Sequence, residues 1–288
     1  MDREVGNKPS KFLDGNSNHT FDISYADDTF LAGLECSTVQ RYLHRLITVA
    51  NKYGLEPNWS KTVHMRIHHH DPIFNPNGDE IGTATQAQYL GTLLTNTGSS
   101  SLAVGRRIGE ASSIFDSLCD IWKHASLTRH RKIEVYKACV ISKLMFALEC
   151  ECLKQADWKR LNSFHCRCLR RILKIPVSWI SHVPNNVVLA AASSRPLSEN
   201  LLQQQLLLFG KIAQEPNSKY IRQLTFHPSS VNPARCLYRR RGRPRLAWQS
   251  VLYAHAVQSA PHGHQQISNL LLGGNSLTAW REHVELYF

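Results

Sequence analysis

Asp27 and Asp28 stand side by side in ISYADDTF, residues 23–30, behind a small residue and an aromatic one. Adjacent carboxylates repel each other, so setting them between apolar residues calls for a reason. At the tip of a tight hairpin both side chains reach into one small volume and hold a divalent cation. Magnesium suits such a pair, because it takes one or two carboxylates and completes its shell with phosphate oxygens and water. In a two-metal site, ions of this kind activate an attacking hydroxyl and stabilise a departing phosphate.

Three other clusters invite chemistry. RRRGRPR, residues 239–245, gathers Arg239, Arg240, Arg241, Arg243 and Arg245. Its Arg-Gly-Arg-Pro resembles the core of an AT-hook, which enters the minor groove of A·T-rich DNA. Five arginines there would make binding steeply salt-dependent; a nuclear-import signal and a solvated loop are the alternatives. Cys150, Cys152, Cys166 and Cys168, with His165, suggest zinc. Pairs two apart on a helix point to different sides, unlike C-x-x-C knuckles, so buried thiols are expected instead. HHHD at 68–71 alternates faces if extended, and reads as a solvated strand end.

Elements that could position the acid pair follow from periodicity. Phe21, Ile23 and Tyr25 alternate with Asp22 and Ser24, which predicts a strand turning at Ala26-Asp27-Asp28 into a second strand, DTFLAGL. Val39, Leu43, Leu46 and Ala50 then recur at helical spacing, with Gly54 placed to end the helix. LEPNWSKTVHMRI is expected to be extended, and IGTATQAQYLGTLLT to form another strand pair.

After Gly98 the pattern turns helical. Ile108, Ala111, Phe115, Leu118 and Trp122 mark a helix over about 103–124. Ile133, Tyr136, Val140, Leu144 and Leu148 mark another over 129–149, capped at 126–128. Trp158, Leu161, Phe164, Cys168 and Ile172 mark a third over 155–174, with Lys159, Arg160, Arg167, Arg170, Arg171 and Lys174 facing outward. A fourth helix follows Pro196, and the chain from about 216 is expected to be loop-rich with two modest helices.

Charge divides the chain as the elements do. Residues 1–100 carry 8 Lys+Arg against 11 Asp+Glu, whereas 101–288 carry 26 against 11. A basic excess of this size favours polyanion partners, nucleic acid first among them. No apolar run is long enough to span a membrane, the start lacks a signal-peptide core, and the eight cysteines read as reduced thiols. An intracellular protein of nucleus or cytoplasm is expected, not a secreted one, and no obligate protein partner is evident.

Three boxes carry a family resemblance. Tyr25-Ala26-Asp27-Asp28, then Gly54-Leu55 with Asn58, Lys61 and Thr62, then Tyr89-Leu90-Gly91 resemble, in order and spacing, the palm of reverse transcriptases of LINE-like, non-LTR retrotransposons. The helical stretches after Gly98 are similar to that family's thumb, and LLLFGKIA and GRPRLAW to short landmarks behind it. The resemblance implies an α+β chain: a flexible arm over 1–20, part of a palm over 21–98, a helical thumb over 99–176 and a basic post-thumb region over 177–288. It implies RNA-directed DNA polymerase chemistry with Mg2+ on Asp27 and Asp28, Lys61 near the incoming nucleotide's phosphates, and Tyr89, Leu90 and Gly91 gripping the primer end. RNA template and DNA primer, or an RNA–DNA hybrid, are the implied partners. Arg106, Arg107, Arg160, Arg167, Arg170 and Arg171 become candidate backbone contacts.

The family also places fingers and a third metal-binding aspartate before the first box, and only 24 residues precede Tyr25 here. Asp22 shares the hairpin's own strand and is not expected to substitute. Positioning and charge stabilisation supply nearly all the rate in this chemistry. The isolated chain is therefore expected to lack polymerase activity. The alternative reading is a non-catalytic nucleic-acid binder that acts through the thumb and RRRGRPR.

Overall fold

The computed structural model describes residues 20–67, 69–123, 126–234, 246–273 and 277–288. The chain is a mixed α+β structure, predominantly helical, that divides into two compact units at Ser99 and Ser100.

In the first unit, β1 (Thr20–Tyr25) and β2 (Asp28–Gly33) form an antiparallel hairpin in which Tyr25 pairs with Asp28. The connection is therefore the two residues Ala26 and Asp27, and Asp28 already opens the second strand. Ala26 has φ +53°, the conformation that glycine usually takes at the head of a two-residue hairpin loop. The helix α1 (Cys36–Lys52) runs one turn's half ahead of its expected start and ends at Gly54. Gly54, at φ +72°, donates to the Asn51 carbonyl while Leu55 donates back to that of Ala50, the paired bonds of a Schellman cap.

The stretch after Gly54 is not the extended segment its sequence suggests. Asn58 accepts from the amides of Lys61 and Thr62 through its carbonyl and from the Ser60 hydroxyl through its side chain, which curls the chain into a turn. Two isolated bridges, His64 with Thr83 in parallel and Phe74 with Glu80 antiparallel, are the pairing among the described residues between α1 and β3. Gln40 of α1 ties the loop beyond it by exchanging both amide bonds with Phe74, at 2.6 and 2.7 Å. β3 (Gln86–Tyr89) and β4 (Thr92–Thr95) form the second expected hairpin. Leu90 and Gly91 both take positive φ, +47° and +76°, as a two-residue loop of the primed kind requires.

The second unit is helical among the described residues apart from one isolated bridge, Phe226 with Pro233, and α2 (Ser100–Ser117), α3 (Cys119–Lys123), α4 (Arg129–Val135), α5 (Ser142–Met145) and α6 (Gln155–Leu173) surround its first core. Val104, Ala111, Phe115, Tyr136, Val140, Leu144, Leu161 and Leu169 are almost wholly buried there. Two expected helices are interrupted. The first breaks at Leu118, so that α3 turns and Trp122 donates to the Phe115 carbonyl at 2.8 Å. The second relaxes into a π-helical turn over Tyr136–Ile141 and stops at Met145, where Phe146 goes extended and Ala147 takes φ +62°. The third runs as expected, and its N-terminus is closed by Asp157, which accepts from the Lys154 amide.

Beyond α6 lie α7 (Ser178–Ser181), α8 (Asn185–Ala191) and α9 (Leu197–Ala213). α9 serves two cores: Leu197 and Leu201 belong to the first, and Leu206, Phe209 and Ile212 to a second. That second core is built with α10 (Tyr220–Thr225), α11 (Trp248–Ser259), α12 (Gly263–Leu272) and α13 (Leu277–Tyr287). The expectation of a loop-rich end with two modest helices is thus corrected to four helices closing around Phe226, Leu252, Ile267 and Trp280. Gly210 lets α13 approach, since a Cβ there would lie 2.1 Å from the Trp280 ring. The Trp280 indole donates to the Leu206 carbonyl at 2.8 Å.

Candidate functional site

In the first unit the acid pair is fully displayed. Tyr25, Ala26, Asp27 and Asp28 are all exposed at the tip of the β1–β2 hairpin. The second hairpin meets the first. Tyr89 donates its hydroxyl to the Ile23 carbonyl at 3.0 Å, and its ring lies 5.4 Å from that of Phe30. Burial, and then the nearby charge of Asp28, push the Tyr89 phenol above its ordinary range. The first and third sequence boxes therefore share one surface, although 66 residues separate Ile23 from Tyr89. Leu90 is exposed at the tip of this second hairpin, and Gly91 supplies the turn beneath it.

Lys61 is exposed on the Asn58 turn, and no ion pair among the described residues includes it. Asp22, set aside as a metal ligand, accepts a hydrogen bond from Tyr42 of α1. Burial first, and then this bond and charge, raise the Tyr42 phenol. Two consecutive exposed carboxylates fit a magnesium ion that keeps phosphate and water ligands. Among the described residues, no group of three or more His, Cys, Asp or Glu gathers to hold a metal.

The six thumb arginines divide sharply. Arg107 is buried, bonds Glu110 at 3.1 Å and lies 4.8 Å from the Phe146 ring centroid. Arg106 bonds the other Glu110 oxygen at 2.8 Å, and Lys143 approaches at 3.4 Å. Burial pushes Glu110 up, but these three cations outweigh it and hold the carboxyl below its ordinary range. Arg170 is corrected from an outward position to a buried one, 6% exposed. The loop after α6 folds over its last turn, and the guanidinium serves that loop's carbonyls: 2.6 Å to Val183 and 3.2 Å to Pro176.

The exposed face of α6 survives that division. Lys159, Arg160, Ser163, Arg167, Arg171 and Lys174 are all exposed, and from the adjacent Lys159 and Arg160 onward they recur three and four apart. Two of them have acidic partners: Arg160 bonds buried Asp157 at 3.3 Å, and Arg171 bonds Asp116 of α2 at 2.6 Å. Arg171 also lies over Phe115, 4.8 Å from its centroid, and Arg167 over Phe164 at 5.6 Å. The face is therefore a cationic row with part of its charge offset. Arg239, Arg240, Arg241, Arg243 and Arg245 lie outside the described residues.

The cysteine expectation holds in part. Cys166 and Cys168 are buried, and burial drives the Cys168 thiol to about 12, whereas Cys150 is exposed and Cys152 half-buried. His165 lies between the Tyr136 hydroxyl, 2.9 Å from Nδ1, and the Ser194 hydroxyl, 3.1 Å from Nε2.

Residue spacing could have shown the neutralising partners, since Arg106 and Arg107 stand four and three before Glu110 and Asp157 three before Arg160. The exposed Trp179 of α7 was not among the sequence candidates. Its only signal was the VSWIS segment directly after Pro176, with Val177, Trp179 and Ile180 apolar. No helix among the described residues is long and apolar enough to cross a membrane. No protein-family model, no curated protein and no solved structure matches this chain.

Proposed function

We propose that this chain is the later part of the palm, together with the thumb, of a non-LTR-type reverse transcriptase, and that it works on nucleic acid. The observation that supports the reading best is the meeting of Tyr89 with the Asp27–Asp28 hairpin. A box proposed to steady a primer end and a box proposed to bind metal need to be neighbours, and these two are. In this reading Asp27 and Asp28 hold magnesium, which supplies charge stabilisation to the transferring phosphate when bound. Lys61 would hold substrate phosphate from a turn fixed by Asn58. The cationic row on α6 would hold the sugar–phosphate backbone.

A non-catalytic reading is favoured by one feature: the cationic face belongs to α6, which folds in the second unit with its own cores. The two readings separate in one pair of measurements on the purified chain. Fluorescence anisotropy with a labelled RNA–DNA hybrid is expected to show binding with a log–log salt slope of about −3 to −5, given five cations partly offset by two carboxylates. Primer extension with magnesium is expected to yield no product from this chain alone. Extension that Asp28→Asn abolishes would make the chain a self-sufficient polymerase. Absence of hybrid binding at low salt would remove both readings.

A further inference from the structure

Trp179 leaves 76% of its surface exposed, with Val177 and Ile180 also exposed on either side of it. An indole is among the largest apolar groups a chain can bury, so one left in water on a fixed segment calls for an account. The segment is fixed. The buried guanidinium of Arg170 donates to Pro176 O at 3.2 Å, Ser181 Oγ at 3.3 Å, Val183 O at 2.6 Å and Asn185 Oδ1 at 3.0 Å. The single Ser181 hydroxyl proton is shared in turn between the carbonyls of Pro176 and Val177. One cation at the end of α6 thus anchors residues on both sides of Trp179.

The row Lys159, Arg160, Arg167, Arg171 and Lys174 leads to this segment, and Lys174 stands five residues before Trp179. At 1.5 Å per residue the row is about 22 Å long. Five cations against the two carboxylates Asp157 and Asp116 leave it net positive, so two copies of the face would repel one another. A polyanion is the complementary occupant. A stiff exposed aromatic ring on a segment anchored to the last turn of the helix that carries a cationic row has the chemistry by which unpaired bases stack while their backbone is held electrostatically.

We propose that Trp179 is a stacking platform for an unpaired base, and that the α6 row carries the phosphates of the same single strand. Arg170 is then a positioning residue, holding the platform without touching nucleic acid. The inference rests on the nucleic-acid reading above and goes beyond it in assigning a single-stranded segment to a stated side chain.

The test uses the full chain and two fluorescein-labelled probes, a blunt RNA–DNA hybrid and the same hybrid with a six-nucleotide single-stranded overhang. The wild type is expected to prefer the overhang probe. W179A is expected to lose about 5- to 100-fold on that probe and little on the blunt one, the range that stacking one base implies. W179F, which keeps a ring, is expected to retain most of the preference, and circular dichroism checks that each variant folds. Equal binding of both probes by wild type, or an unchanged W179A, overturns this inference while leaving the duplex reading intact. Failure of wild type to bind either probe removes the duplex reading and this inference with it. If W179A instead lowers sedimentation-detected self-association and leaves both affinities unchanged, the surface belongs to a second copy and the proposal falls.

Discussion

The two units handle their apolar side chains in opposite ways. Among the described residues up to Ser99, three apolar side chains are buried, Ile47, Ile73 and Ile81, and ten large ones are exposed. From Ser100 onward thirty-six are buried and fourteen large ones exposed. The second unit therefore closes its own cores. The first is held by local hydrogen bonding: the Gly54 cap, the Asn58 turn and the Gln40 brace. Its two sheets have two strands each, a size that has marginal stability alone. An exposed acid pair on such a scaffold is easy to reach, but little burial holds it in place.

The largest expected effect tests that contrast directly. Phe209 is wholly buried and packs edge-on against Phe226 with centroids 5.0 Å apart. Phe209→Ala should cost about 3–5 kcal/mol in urea unfolding. Ile23→Ala, on the exposed hairpin, should cost within about 0.5 kcal/mol. A comparable loss at both positions would show that the first unit's apolar face is covered in solution and would break the comparison.

A second effect belongs to the helical unit's polar interior. His165 has a pKa lowered from 6.5 to about 4, by burial first and with help from the charge of Lys137, against an opposing hydrogen bond at the Arg195 backbone. Above pH 6.5 the ring is neutral in folded and unfolded chains, and its contribution is fully present. As pH falls from 6.5 to 4 the unfolded chain takes up a proton that the folded one refuses, so stability declines, by at most about 3 kcal/mol. Unfolding midpoints at pH 7 and pH 5 should therefore differ less in His165→Gln than in the wild type. Equal pH dependence in both would place the sensitivity in other groups, such as the buried-shifted His255 and His283.

Much of this architecture was legible where a local signal decides the backbone. Both hairpins announce themselves by alternation around a short turn, α1 by its stripe and Gly54, and α6 by a full period of apolar residues. What stayed hidden depends on contacts far along the chain. The break at Leu118 exists because Trp122 turns back onto Phe115. The last four helices form a core only because Gly210 admits Trp280, and neither residue is a periodic signal. Arg170 looks outward by spacing from Leu161 and Phe164, yet it is buried because residues 176–185 fold over the last turn of α6. At the candidate site the acid pair and its Tyr89 neighbour were legible as motifs. The charges that Lys143 spends on Glu110 and Arg171 on Asp116 were not, because tertiary packing chooses those partners.

The smallest effect asks which unit carries the nucleic acid. Asp116 and Arg171 form an exposed pair at 2.6 Å, with side chains 57% and 47% exposed. Exposed pairs contribute about 0–1 kcal/mol, so Asp116→Asn should leave the unfolding midpoint nearly unchanged. The substitution removes a carboxylate from the cationic row and leaves Arg171 stacked over Phe115. Hybrid binding should then tighten a few-fold at low salt, and the log–log salt slope should steepen by up to about 0.9 as one more phosphate is neutralised. Arg171→Gln should move both quantities the other way. Such a reciprocal pair, with stability constant, cannot come from altered folding, because the two substitutions break the same ion pair and differ only in the sign of the charge left behind. If both variants bind as the wild type does, the α6 row lies outside the nucleic-acid surface and the contact has to be sought elsewhere on the chain.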